Sequence, residues 1–344
     1  MKQLLAVLIA FSIGAPPIVA QDNTRAQNTN RPITVEVQLV DVYVTVVDQE
    51  GGPSTPGLER ENFDLFEDGV RREIIYFGQG DIPLRTCHVA DTSGSMMPNA
   101  DKVVQSLTRF ARMGGKDDRS CLIAFTEEGV AERVSSFVNT TEIQNKIVGL
   151  PGGGKTPLMD GLYLALLEIE EDVKWEKEQI DELQRTISNG RESDKAIRAI
   201  KKKNAVIVIS DGGENHSSYS ENDVLHLAQE LEVQIYAIGV YDRARSDLSR
   251  EEERGPTLLK EIAEKTGGRV FSVEKTDDLT RIMAAVSSSL KTQYHIQFKP
   301  TGAKEKPKQE GSCPDYREIT VKVKPPKGMP ALKVYARRGY CPPA

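Results

Sequence analysis

The 344-residue chain carries 45 Lys and Arg against 51 Asp and Glu, a formal net charge of −6. That acidic balance, without a basic stretch interleaved with aromatics, argues against a nucleic-acid binder. The length suffices for one large or two modest domains, each with its own core.

Met1-Lys2-Gln3, the apolar run Leu4 to Ile13 and Ala15-Pro16-Pro17-Ile18-Val19-Ala20 read as a signal peptide over residues 1–20, cut after Ala20. The run is too short to span a bilayer, and no Cys follows it for lipid attachment. With no other transmembrane candidate, the expectation is an exported protein, periplasmic or secreted. Residues 21–32 are polar and aperiodic, as in a disordered leader.

Residues 33–80 form an N-terminal β segment. Val35, Val37 and Leu39 are apolar at odd positions and Val42, Val44 and Val46 at even ones, a change of phase that predicts a bulge near Val40-Asp41. Phe63-Asp64-Leu65-Phe66 alternates, Glu67-Asp68-Gly69 is a hairpin signal, and Arg72 to Phe77 returns. These strands are too few to stand alone. Tyr294 to Lys299, Arg317 to Val323 and Leu332 to Ala336 alternate in the same way, so the C-terminal β segment, 293–344, is expected to pair with the first into one sandwich around an inserted middle domain.

That middle domain, 85–291, alternates strands with helices, the pattern of an open α/β sheet, doubly wound and mostly parallel with helices on both faces. Strands are expected at Thr86 to Ala90, Ser120 to Phe125, Val130 to Phe137, Ala205 to Ser210, Gln234 to Val240 and Arg269 to Val273. Leu122 to Phe125 and Val206 to Ile209 are continuously apolar, as in central parallel strands, whereas Val130 to Phe137 alternates like an antiparallel edge. Helices are expected at Ala100 to Met113, Thr141 to Val148, Pro157 to Glu170, Glu221 to Glu232, Pro256 to Thr266 and Asp277 to Lys291. Thr156-Pro157 reads as a capping hydroxyl before Pro at the first helical position. The densely charged stretch 171–203 reads as a helical hairpin or an extension of the preceding helix.

The stretch Val89-Ala90-Asp91-Thr92-Ser93-Gly94-Ser95-Met96 organises this domain. A buried strand ends in Asp-x-Ser-x-Ser, placing one carboxylate and two hydroxyls on a single turn. Hard oxygen donors of this kind suit Mg²⁺ or Mn²⁺ rather than zinc. The motif resembles the metal-ion-dependent adhesion site of the von Willebrand factor A family, which adds a Thr from a second loop and an Asp from a third. Thr156 in Gly154-Lys155-Thr156-Pro157-Leu158 and Asp211 in Ile209-Ser210-Asp211-Gly212 match those positions. The resemblance implies metal ligands Asp91, Ser93, Ser95, Thr156 and Asp211, Mg²⁺ or Mn²⁺ as the ion, and a protein or matrix partner presenting a carboxylate. Cys87 and His88 on the first strand and the extra acid Glu214 depart from the family's usual pattern.

A second motif competes. Gly149-Leu150-Pro151-Gly152-Gly153-Gly154-Lys155-Thr156 satisfies the phosphate-loop pattern G-x-x-x-x-G-K-T, the mark of a nucleotide-binding hydrolase. Such a loop should follow a buried strand, yet Thr141 to Val148 is helix-like. The four histidines accompany no recognisable Ser or Cys nucleophile, so a non-enzymatic binding protein is expected, with an envelope structural protein holding a stabilising metal as a third reading. Cys313 and Cys341 are expected to pair, whereas Cys87 and Cys121 either pair or remain buried thiols.

Overall fold

The computed structural model describes residues 39–80, 82–150, 152–187, 196–197, 200–241, 248–273, 279–301 and 315–342. The expected signal peptide, leader, Cys313 and the middle of the charged stretch lie outside the described residues.

The N-terminal β segment supplies β1 (Val40–Asp48), β2 (Phe63–Glu67), β3 (Val70–Arg72) and β4 (Ile74–Gln79). The C-terminal one supplies β11 (Tyr294–Phe298), β12 (Arg317–Val323), β13 (Leu332–Tyr335) and β14 (Gly339–Tyr340). They interleave in two antiparallel sheets, β13-β1-β11-β4 and β14-β12-β2-β3. Val42, Val44, Phe63, Leu65, Tyr294, Ile296, Phe298 and Ile319 share one apolar core. Asp68 and Gly69, with φ of 48° and 78°, turn the β2–β3 hairpin in the left-handed conformation its twist favours. Two expectations change. The return stretch after this turn breaks at Glu73, with β3 in one sheet and β4 in the other. The expected bulge at Val40-Asp41 is absent, because β1 runs in unbroken register with β11 from Val40 to Val44; the irregularity falls between Gln297 and Phe298, opposite β4.

The middle of the chain contributes β5 (Leu84–Ala90), β6 (Arg119–Phe125), β7 (Ala131–Asn139), β8 (Lys203–Ser210), β9 (Gln234–Val240) and β10 (Val270–Val273). Their order is β10-β9-β8-β5-β6-β7, parallel throughout except for the antiparallel edge β7. On one face pack α1 (Ala100–Arg112), α2 (Thr140–Ile147) and α6 (Leu279–Lys291). On the other lie α3 (Leu158–Thr186), α4 (Glu221–Glu230) and α5 (Arg250–Lys265). Successive strand residues serve the two cores in turn: Val206 and Val208 face α3 to α5, while Ile207 and Ile209 face α1 and α6. Both-face burial explains the unbroken apolar runs.

The charged stretch begins as a continuation of α3, which runs 29 residues to Thr186. Helix α5 starts at Arg250, six residues before the expected Pro256. Ser249 and Glu252 form a reciprocal capping box, and Pro256 is carried inside the helix. Cys87 and Cys121 form a disulfide, being directly opposite in the β5–β6 pair. His88 Nε2 lies 3.5 Å from the Thr86 hydroxyl while its Nδ1 is buried without a partner, and burial pulls its pKa down to about 4.

The sandwich covers the N-terminal edge of the six-stranded sheet. The middle domain enters between β4 and β5 and returns through Thr292 and Gln293 into β11, and β4 and β11 are paired neighbours. Gln293 Nε2, which has two N–H donors, lies among three oxygens, Thr45 Oγ1 at 2.8 Å, Gln234 Oε1 at 2.9 Å and Tyr236 OH at 3.0 Å. Asp41 meets His295 at 2.5 Å and Lys201 at 2.8 Å. Burial opposes its charge, but the His295 hydrogen bond and Lys201 hold this carboxyl far below the ordinary range. Among the described residues, the sandwich does not cover the opposite edge, at the carboxyl ends of the parallel strands.

Candidate metal centre

That edge contains the switch point of the fold. From β5 the chain crosses over α1 to β6 on one side; from β7 it crosses over α3 to β8 on the other. Crevices outside such reversals are where open α/β sheets bind ligands. Asp91 follows β5 and Asp211 follows β8, and the two strands are directly paired up to Ala90 and Ile209.

Backbone contacts fasten the three loops. Gly153 N–H donates to Thr92 O at 2.7 Å and Gly94 N–H to Gly154 O at 3.2 Å, which sews the first loop to the second. Thr156 N–H donates to Asn215 Oδ1 at 3.1 Å, and Asn215 N–H returns to Thr156 O at 3.3 Å, which sews the second to the third. Thr92 leaves its neighbours' site and bonds Phe125 through both its hydroxyl roles, donating to the carbonyl at 2.8 Å and accepting the N–H at 3.1 Å.

Asp91, Ser93 and Thr156 are buried, Asp211 is half-buried and Ser95 is exposed. Asp91 Oδ1 accepts the Ser93 N–H at 3.0 Å and Oδ2 the Ser210 hydroxyl at 2.5 Å, and the Ser93 and Ser95 hydroxyl oxygens lie 3.3 Å apart. Burial and then the charge of Asp211 push the Asp91 carboxyl up to about 6. The cluster thus gathers two mutually repelling carboxylates and hydroxyl oxygens in one buried-to-open crevice.

The Thr156 hydroxyl does not cap α3, contrary to expectation: the helix begins at Leu158 with Pro157 before it. Its first-turn amides are satisfied from the third loop instead. Met159 N–H donates to Glu214 Oε2 at 2.8 Å and to Ser217 Oγ at 2.9 Å, and Asp160 N–H to Ser217 Oγ at 3.2 Å. Glu214 also accepts the N–H groups of His216 and Ser217, so this extra acid is spent on the helix terminus. Ser210 and Asn215 are positioning residues that sequence reasoning passed over. Ser210 was detectable as the last residue of an apolar strand; Asn215 carried no local signal.

The chain matches the von Willebrand factor type A domain over residues 87–285, more than half its length. It belongs to the von Willebrand factor type A family. Domains of this family mediate protein interactions and typically bind a divalent metal. An uncharacterized protein of Borreliella burgdorferi is 30% identical over 109 residues, covering 28% of this chain and 31% of the relative, so the chain spans under a third of that relative's length. Among solved structures, the conserved hypothetical protein BatB from Bacteroides thetaiotaomicron is 16% identical with a TM-score of 0.42, covering 61% of this chain and 100% of its own. A von Willebrand factor type A protein from Catenulispora acidiphila is 11% identical with a TM-score of 0.43, covering 89% and 75%. These two likenesses carry no functional argument.

Among the described residues no group of three or more His, Cys, Asp or Glu side chains is gathered for a metal. The cluster at the switch point has another composition, two carboxylates with hydroxyls, which is a hard-oxygen set. The competing phosphate loop loses its context: it follows helix α2, not a strand, and Lys155 Nζ contacts His216 Nδ1 at 3.4 Å.

The Asp211 loop is braced by α5. A Cβ added to Gly255 would meet Asp211 O at 2.3 Å, so only glycine permits this approach. Gly255→Ala is expected to cost about 1–3 kcal/mol by overpacking and to displace Asp211. Calorimetry with and without Mg²⁺ checks it: the domain should still fold, with at least half of any metal-induced stabilisation gone. An undiminished metal response would mean that α5 does not set the position of Asp211.

Proposed function

We propose that this von Willebrand factor type A protein is an exported, non-enzymatic binding protein that engages a carboxylate of a protein or matrix partner through Mg²⁺ or Mn²⁺. The observation that carries the reading is the convergence of Asp91 with Asp211 beside Ser93, Ser95 and Thr156 at the switch point, with the Asp91 carboxyl pushed up by burial and by its neighbour's charge. This donor set fits a hard divalent cation. The ion would be held by Asp91, Ser93, Ser95, Thr156 and Asp211, directly or through water, and when bound it supplies a Lewis-acid position for an anionic ligand. Ser210 and the Ser93 N–H hold the Asp91 carboxylate, and the loop hydrogen bonds keep the second and third loops in place. Export is inferred from the N-terminal sequence, and among the described residues no helix is long and apolar enough to cross a membrane.

Thermal unfolding of the full chain with Mg²⁺, Mn²⁺, EDTA or ATP tests the reading. Without metal, the raised Asp91 pKa, about 6 against an ordinary 3.8, contributes stability that is complete below pH 3.8 and is lost as pH rises through 6; the loss is about 3 kcal/mol. A cation favours the ionised form and reverses that term. Saturating Mg²⁺ should therefore raise the midpoint by roughly 5 °C near pH 7.5, but much less near pH 5, and Asp91→Asn should abolish the shift. A shift that appears only with ATP and vanishes in Lys155→Ala would overturn the proposal in favour of nucleotide binding.

A further inference from the structure

Resting on the metal reading above, we propose that Lys155 is the specificity-determining residue of this site: its ammonium forms the second contact to the partner's carboxylate, beside the cation. Lys155 precedes Thr156 directly and is exposed at the open edge. Its position is built by three loops. The turn between β6 and β7 touches it through Gly129, where an added Cβ would meet Lys155 Cβ at 3.0 Å and His216 Cδ2 at 3.3 Å. The Thr156 loop is clamped to the third loop through Asn215, and His216, also on the third loop, is held by its N–H to Glu214 at 3.0 Å. The ammonium has three donors and no acceptor, so in its 3.4 Å contact with His216 Nδ1 it is the donor, which leaves two N–H donors for a ligand.

Two carboxylates of the neighbouring loops are otherwise engaged. Glu214 is committed to α3 and its own turn. Glu128 is hydrogen-bonded by its own backbone and the Thr126 hydroxyl. Among the described residues no carboxylate pairs with Lys155. Charge balance gives this cation a purpose. Asp91 and Asp211 match a divalent ion charge for charge, so an arriving carboxylate adds one unpaired negative charge to a partly buried crevice. Lys155 supplies a positive charge at the rim of the site, from where it can reach such a carboxylate. A neutral oxygen ligand gains only an ordinary hydrogen bond from it and no charge pairing, so the residue discriminates in favour of carboxylates.

Acetate is the probe, titrated into Mn²⁺-loaded full-length protein while water-proton relaxation reports displacement of metal-bound water. Lys155→Gln should weaken acetate binding by about fivefold or more, and Lys155→Arg should restore most of it. Mn²⁺ affinity, measured separately by calorimetry, should hold or tighten in Lys155→Gln, because a positive charge beside the ion has been removed. General loop damage would weaken metal and acetate together and gain nothing from Arg, and that pattern overturns the assignment. Equal acetate affinity in wild type and Lys155→Gln, with Mn²⁺ bound normally, also overturns it while leaving the metal reading intact. Absence of Mn²⁺ binding by the wild type removes both.

Discussion

Arg85→Met is expected to lower stability by about 3–5 kcal/mol, because it strands the buried Glu176 carboxylate and takes one of two cations from Asp172. Arg85 is the second residue of the central strand β5 and is fully buried. Its Nε donates to Asp172 Oδ2 at 2.7 Å, Nη2 to Glu176 Oε2 at 2.6 Å and Nη1 to Asn204 Oδ1 at 2.7 Å. Asp172 retains Arg119 at 2.7 Å in the variant, whereas Glu176 loses this buried partner. Urea unfolding should show the loss at an unchanged slope. The triple change Arg85→Met, Asp172→Leu, Glu176→Leu should recover most of it, since a packed apolar trio avoids the desolvation cost of the ions. Thr156 precedes the far end of α3, so any response to Mg²⁺ should survive in Arg85→Met at temperatures where the domain is folded. A cost below about 1 kcal/mol would show that apolar packing alone pins α3 to the sheet.

The second large effect concerns Cys87–Cys121. The bond closes a loop with a sequence separation of 34 that contains α1 and the whole Asp91 to Ser95 turn. On the chain-entropy account, a loop of this size is worth about 4 kcal/mol through restriction of the unfolded chain. Both cysteines are completely buried in the core beneath α3. Reductant should therefore act only on opened molecules, leaving the folded protein oxidised in dithiothreitol for as long as global unfolding is slow. The Cys87→Ala, Cys121→Ala protein should have a lower urea midpoint than the oxidised wild type. Rapid thiol labelling of the native protein after brief reduction would contradict this protected placement.

Much of the candidate site was legible because its signals are local. Asp91, Ser93 and Ser95 lie within five residues on one turn, and an apolar run ending at Asp211 announces a central strand whatever surrounds it. The neighbouring placement of β5 and β8 followed from the rules of open α/β sheets. What was misread needed groups distant in sequence. The hydroxyl of Thr156 looked like a helix cap because Ser and Thr often are, but Glu214 and Ser217, some sixty residues on, take that role. The start of α5 was masked by Pro256, although Ser249 and Glu252 spelled out a local capping box that outweighs it.

Taken alone, the sequence determined the element types, the two-sided burial of the central strands and the three loops that carry the candidate ligands, because turn chemistry and apolar periodicity act over a few residues. It also pointed to strands shared between the two ends of the chain, since neither end holds enough to bury a sheet face. Only the tertiary structure decided which strands of the two end segments pair, that β3 and β4 part at Glu73 into different sheets, and that the sandwich sits against the N-terminal strand edge through Gln293, Asp41 and Lys201. Several alternating segments are nearly equivalent as β partners. The choice among them rests on packing and buried hydrogen bonds between residues up to 296 positions apart, which no local pattern encodes.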